Sequence, residues 1–325
     1  MAEEIIIPSS DDGQRLDRWI KKKFPEVSFG QMQKILRTGQ VRVDGKRVKG
    51  DARLQEGQSV RIPPQLTMPA PKTKNGLLPK EEAFIQSLVI YKDNDLIAIN
   101  KPAGLAVQGG SKIKRHVDGM LDGLRFGADK PMLVHRLDKE TSGILLLARN
   151  TKTARILGDM FKDRSIRKYY WAVTDGVPEL HQGKIQTSLA KVMGPDGERV
   201  MSVGRDEGKT ALSFYTVVEN VGDKVAWIAF WPKTGRTHQL RVHAAEIGCP
   251  ILGDEKYTDY DESVIDDAYG RPEGLHLHAR RLIMQHPVTG KKIDITAPLG
   301  DVMLKTFKYF GFSPNDKSDP FEDID

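Results

Sequence analysis

The chain has 325 residues, of which 39% are hydrophobic and 29% charged, with a formal net charge of +6. That is enough for one large or two modest domains with a substantial core, and no apolar run approaches the roughly 20 residues of a membrane helix. A single cysteine, Cys249, excludes an internal disulfide and a cysteine-rich zinc site, and the opening Met-Ala-Glu-Glu-Ile has no leader-like pattern, so a cytoplasmic protein is expected.

Residues 1–63 form the first expected domain. Within it, residues 14–63 carry 13 Lys+Arg against 5 Asp+Glu, a net of +8. Leu16, Trp19, Ile20 and Phe24 recur at helical spacing. Ser28 is a suitable N-cap for a second helix bearing Met32, Ile35 and Leu36, stopped at Gly39. Short strands follow at 41–43 and 60–62, with turns at Asp44-Gly45 and Glu56-Gly57. Lys34, Arg37, Arg42, Lys46 and Arg47 lie close together with few acids among them. Either they form a solvated charged face, or they bind phosphates; the local excess favours phosphates and a polyanionic partner such as RNA.

Residues 64–84 hold Pro64, Pro69, Pro71 and Pro79 with three lysines and read as a semi-rigid linker. The second domain is expected over 85–312. It opens with a hairpin, 88–91 and 96–99, around Asp93-Asn94-Asp95. Lys101-Pro102-Ala103-Gly104 ends it, and 109–130 reads as a glycine-rich loop or broken helix. The apolar run 144–148 predicts a buried strand. Thr151 is the expected cap of a helix carrying Ala154, Leu157, Met160 and Phe161. Further strands are expected at 169–173, 211–218, 225–230 and 275–279, with a polar loop at 194–209. Thr237 is the expected cap of a helix over 238–247 that Gly248 closes. Strands outnumber helices without βα alternation, so the fold class is α+β with a mixed, largely antiparallel sheet plus the small N-terminal αβ domain. Residues 313–325 form an acidic tail, read as a disordered solubilising end.

The chemistry centres on His135-Arg136-Leu137-Asp138-Lys139-Glu140-Thr141-Ser142-Gly143, at the entrance to the 144–148 strand. Asp138 lies between Arg136 and Lys139. Nearby cations keep a carboxylate ionised, which suits a nucleophile or electrostatic stabiliser. From charge alone a solvated ion cluster at a strand entry is the simpler reading. His238 and His243 lie five apart, about 140° off a common helix face, and no glutamate completes a zinc pattern. His276 and His278 share a strand face but make only a pair, so no metal is expected. No phosphate-cradling glycine loop occurs, so no nucleotide cofactor is expected.

Four segments occur in a distinctive order: Asn100 to Leu105, His135 to Gly143, Lys168-Tyr169-Tyr170-Trp171-Ala172, and Gly235 to His243 with Gly253-Asp254 beyond. Together they resemble the ribosomal large-subunit pseudouridine synthases of the RluA class, from about residue 85 to 305. Residues 14–63 resemble the S-four RNA-binding domain often fused to those enzymes. The resemblance implies a catalytic nucleophile at Asp138, a tyrosine against the flipped uracil at Tyr170, and an arginine paired with the catalytic carboxylate at Arg241. It implies that Arg136 holds the deformed RNA, and that His135, Leu240 and Lys168 border it. The implied partner is large-subunit ribosomal RNA and the implied reaction is isomerisation of uridine, with neither metal nor cofactor, by a monomer. One carboxylate, one cation and one stacking surface are the inventory such chemistry needs. Competing readings are the same activity on transfer RNA, a non-catalytic RNA-binding assembly factor, and a glycosidic hydrolase; the last usually needs two catalytic carboxylates.

Overall fold

The computed structural model describes residues 3–24, 27, 29–67, 77–110, 113–194, 197–258, 270 and 272–322. The chain divides into two compact units, Met1–Gly76 and Leu77–Asp325. Ser28, the expected cap of the second helix, lies outside the described residues.

In the first unit β1 (Glu3–Ile6) precedes α1 (Leu16–Lys23) and α2 (Phe29–Arg37), and then come β2 (Arg42–Val43), β3 (Ser59–Ile62) and α3 (Pro64–Thr67). The strands form one antiparallel sheet in the order β1-β3-β2. Leu16, Trp19 and Ile20 from α1 meet Met32, Ile35 and Leu36 from α2 over Val41, Val60 and Ile62. The helical spacing seen in the sequence is therefore the core-facing stripe. Asp44 and Gly45 both take positive φ, 47° and 74°, as a tight hairpin turn of this type requires.

The second unit begins earlier than the sequence suggests. Residues 77–84, expected in the linker, run into helix α4 (Pro79–Ser87), and Leu77, Phe84 and Ile85 pack into its core. Next come β4 (Val89–Lys92), β5 (Leu96–Lys101), α5 (Val117–Met120) with a 3-10 turn at Leu121–Leu124, β6 (Met132–Leu133) and β7 (Ser142–Ala148). Within the described residues of the 109–130 segment, 113–130 hold a broken helix between loops. Helix α6 (Thr151–Lys162) is capped by Asn150, whose side chain accepts from the Thr153 N–H, and not by Thr151. Strands β8 (Arg167–Asp175), β9 (Gln182–Gly194), β10 (Gly197–Val203), β11 (Lys209–Val221) and β12 (Val225–Pro232) follow, then α7 (Gln239–Glu246), β13 (Leu277–Gln285), β14 (Lys292–Thr296) and α8 (Asp301–Phe310). Residues 197–203 of the expected polar loop at 194–209 are instead strand β10, antiparallel to β9.

Eleven strands make one mixed sheet, ordered β10-β9-β11-β12-β8-β13-β7-β5-β4, with β14 on β13 and β6 on β7. Of the described ladders in it, only β13 with β7 is parallel. This crossing organises the site. Ala279 of β13 lies opposite Gly143 on one side and opposite Tyr170 on the other. A side chain at Gly143, which has φ 105°, would collide with the Ala279 backbone, so the glycine lets the signature loop enter the sheet there.

Over its described part, residues 313–322, the acidic C-terminus corrects the expectation of disorder. Phe321 is buried in an aromatic core with Tyr169, Trp231 and Phe312. Arg280 donates to the Pro314 carbonyl at 2.9 Å, and Arg281 lies 3.7 Å from the Asp319 carboxylate.

Candidate active site

Asp138 lies in the loop before β7, on the wall of a cavity of about 570 Å³ that also presents Tyr170, His238, Leu240 and Arg241. Its Oδ2 accepts the backbone N–H of His238 at 3.3 Å. That N–H points at the carboxylate because His238, the N-cap of α7, is held at φ 53°. Left-handed backbone is uncommon for a side-chain-bearing residue and clusters at functional sites. The start of a helix also carries partial positive charge, which favours a carboxylate there. Thr237, the expected cap, is not the cap. Gln239 organises the turn instead, its Oε1 accepting from the Arg236 N–H at 3.0 Å and the Thr234 hydroxyl at 2.7 Å.

Arg241 is the principal correction. Its guanidinium closes a fork on Asp254, Nε to Oδ2 at 2.7 Å and Nη2 to Oδ1 at 2.5 Å, with both residues buried. Its hydrogen bonds therefore go to Asp254 and not to Asp138, on which it acts through its charge alone. Asp254 Oδ1 also accepts the N–H groups of Lys256 and Tyr257, and the Tyr257 hydroxyl meets His238 Nδ1 at 2.9 Å. A connected brace thus runs from Arg241 through Asp254 and Tyr257 to the residue whose N–H holds Asp138. Gly253, φ 73°, is required beside it, since a side chain there would strike the Gly274 carbonyl.

Lys101 supports the loop from below. Its fully buried Nζ donates to the carbonyls of Pro102 at 2.9 Å, Leu105 at 2.8 Å and Lys139 at 3.0 Å. Burial pulls its pKa down to about 7, while Glu140 and Asp138 oppose the shift. Tyr170 turns toward the cavity and Tyr169 into the aromatic core, as alternation along β8 demands. Burial, then the charge of Asp138, raises the Tyr170 hydroxyl pKa, so it stays protonated.

A family model described as RNA pseudouridylate synthase matches residues 95–246, and one for the S4 domain matches residues 14–60. A protein of Rickettsia bellii (strain RML369-C) named ribosomal large subunit pseudouridine synthase C is 36% identical over 300 residues, covering 91% of this chain and 97% of that protein. The chain belongs to the RNA pseudouridine synthases. A relative of the same name from Escherichia coli O157:H7 is 35% identical over 301 residues, covering 91% of the synthase and 93% of that protein. The solved structure of human RNA Pseudouridylate Synthase Domain Containing 4 superposes with a TM-score of 0.60 at 29% identity, covering 71% of the synthase and 97% of that chain.

Among the sequence-predicted site residues, the cavity wall of the synthase brings together His135, Arg136, Asp138, Lys168, Tyr170, Leu240 and Arg241. His135 is committed structurally. Its Nε2 accepts the Leu146 N–H at 2.8 Å, its ring stacks on Phe161, and burial followed by the Lys168 charge takes its pKa down to about 3. Lys34, Arg37, Arg42, Lys46 and Arg47 belong to the first unit, where all five are exposed and none has an ion-pair partner among the described residues. Asp93, Asp95 and His286 lie close enough to share a cation. However, His286 Nδ1 accepts the Val288 and Thr289 N–H groups, while its Nε2 meets Asp93, so the group braces the β4–β5 hairpin. Sequence reasoning missed Tyr257 and the roles of Asp254 and Lys101. For Asp254 and Lys101 the signal was present, since both stand inside quoted motif segments.

Proposed function

We propose that this synthase converts uridine to pseudouridine in large-subunit ribosomal RNA, with Asp138 as the nucleophile acting on a uridine flipped out of its stack. One observation carries the assignment of Asp138: among the described residues its Oδ2 accepts a hydrogen bond and its Oδ1 accepts none, in a cavity wide enough for a nucleoside. The reaction breaks the N1–C1′ bond, turns the uracil, and joins C5 to C1′; the C5 proton is lost and N1 gains one, so the net change is an isomerisation. Tyr170 offers the face against which the free base turns, and Arg241 holds the nucleophile's surroundings positive. Arg136, exposed beside Asp138, holds the RNA in its deformed state. The names of the relatives and the S4 match at 14–60 support the ribosomal target. The same reading makes the enzyme a cytoplasmic monomer, which light scattering of the purified protein checks.

The test uses transcribed large-subunit ribosomal RNA, with transfer RNA as the control. Pseudouridine is mapped by chemical labelling after treatment with wild-type protein and with Asp138→Asn. The variant is expected to form none while binding RNA within a few-fold of wild type. Substantial conversion by the variant removes Asp138 from the mechanism; conversion of transfer RNA alone removes the ribosomal target.

A further inference from the structure

The cavity wall holds seven Lys and Arg residues against one carboxylate, Asp138. Two of those cations, Arg164 and Lys233, have no part in the chemistry above. Lys233 Nζ stands 3.7 Å over the Trp231 ring centroid, and the Arg167 guanidinium lies 5.0 Å from the same ring. Trp231 itself is buried, so the indole is a fixed platform on which two cations converge. Arg164, Arg167 and Lys233 have no ion-pair partner among the described residues. Their crowding is felt: burial, then Arg167, then Arg164 lower the Lys233 pKa. Like charges gathered without an internal counter-ion indicate an anion supplied from outside.

A second observation comes from the backbone. Helix α6 ends in a Schellman turn, with the Ser165 N–H donating to the Met160 carbonyl at 3.1 Å. The residue at the left-handed position of that turn is Arg164, at φ 62°. Glycine is the usual occupant, because a Cβ is disfavoured there. An arginine kept at a position that favours glycine, with its side chain on the cavity wall, is accounted for by what the guanidinium binds.

We propose that Arg164 and Lys233 on the cavity wall, with Arg167 off the wall against the same Trp231 ring, form a phosphate-binding site at the rim of the cavity, taking backbone phosphates of the single-stranded RNA that carries the target uridine. The proposal rests on the reading of the chain as an RNA-modifying enzyme and deepens it by naming where the strand is gripped. Trp231 aligns two of the cations, and Arg164 closes the site from the end of α6.

The test measures binding only, in full-length protein carrying Asp138→Asn, so that a failure of the chemistry and a failure of this site are read separately. The probe is a fluorescent 20-nucleotide oligouridylate, titrated from 50 to 300 mM salt. The triple variant Arg164→Gln/Arg167→Gln/Lys233→Gln is expected to flatten the logarithmic salt slope by about 2, at roughly 0.7 per lost single-strand phosphate contact. A control variant, Lys224→Gln/Lys291→Gln/Lys308→Gln, removes three exposed lysines that are not on the cavity wall, and should leave the slope within about 0.5 of the parent. Arg164→Gly should flatten the slope by about 0.7 while raising the melting temperature by about 2 °C. An unchanged slope in the triple variant, or an equal flattening in the control, overturns the proposal. So does a lower melting temperature for Arg164→Gly, which would mean that the arginine is retained for the fold.

Discussion

Separating the charge of Arg241 from its structural role needs two substitutions. Arg241 and Asp254 are 7% and 1% exposed and share two short hydrogen bonds. At an effective dielectric near 20, unit charges about 4 Å apart attract by roughly 4 kcal/mol. Removing one member of such a pair leaves the other charge buried, at a cost of about 3–5 kcal/mol. Arg241→Met and Asp254→Asn should each destabilise the second unit by that amount. The double variant Arg241→Met/Asp254→Asn should recover to within about 2 kcal/mol of wild type, because no buried charge is left over. Asparagine is the right partner substitution, since its carbonyl still accepts the Lys256 and Tyr257 N–H groups that Asp254 Oδ1 satisfies. Activity should not recover with stability. The positive charge beside Asp138 is gone, and a single lost electrostatic group in an enclosed site costs about 10²–10³ in rate. Urea unfolding gives the first quantity, and single-turnover conversion at saturating RNA gives the second. A double variant that turns over near the wild-type rate would refute the electrostatic role. Single variants that lose under about 1 kcal/mol would refute the buried pair.

Tyr170→Leu should slow conversion far more than Tyr169→Leu, whereas Tyr169→Leu should lower the melting temperature more, since Tyr169 packs against Trp231 and Phe321 and Tyr170 lines the cavity; the reverse ranking in both assays would refute this facing of β8. Burial lowers the pKa values of His243, His276 and His278 to about 4, below the unfolded value near 6.5. The unfolded chain therefore binds more protons in that window, so the contribution is complete above about 6.5 and is lost as pH falls toward 4, at up to roughly 3 kcal/mol for one histidine; urea midpoints flat between pH 7 and 4 would contradict it. Deleting residues 1–76 removes the 14–63 segment with its net charge of +8 and leaves a body with its own cores, so conversion at high enzyme concentration should persist while affinity and its salt slope fall; an unchanged slope means that the exposed cations of the first unit do not grip phosphate.

Much of the fold was legible wherever burial acts on both faces of an element. β7 and β12 are buried almost throughout and read as continuous apolar runs. The β9–β10 hairpin was not legible because its outer strands alternate weakly and carry Lys, Arg and Glu, which suits an exposed edge and resembles a loop in composition. The C-terminus misled for a related reason. Five acids in the last ten residues dominate its composition, yet one side chain, Phe321, anchors it in an aromatic core and Arg280 and Arg281 engage its backbone and carboxylate. Composition averages over a segment, whereas docking depends on single residues.

The site shows the same division between what a motif contains and how its members pair. The motif segments contained Asp138, Arg241 and Asp254, one cation with two carboxylates, and sequence spacing gives no preference between the two possible ion pairs. The fold decides it. Arg241 sits one turn into α7 and forks onto the turn that Gly253 brings close, so its hydrogen bonds are used up on Asp254. Asp138 is then held by a backbone N–H, which exists only because His238 adopts a left-handed conformation that no residue-type pattern announces. A bidentate arginine on Asp138 would engage both carboxylate oxygens. A single N–H on Oδ2, with the guanidinium committed to its own partner, leaves Oδ1 on the cavity wall without a hydrogen bond among the described residues.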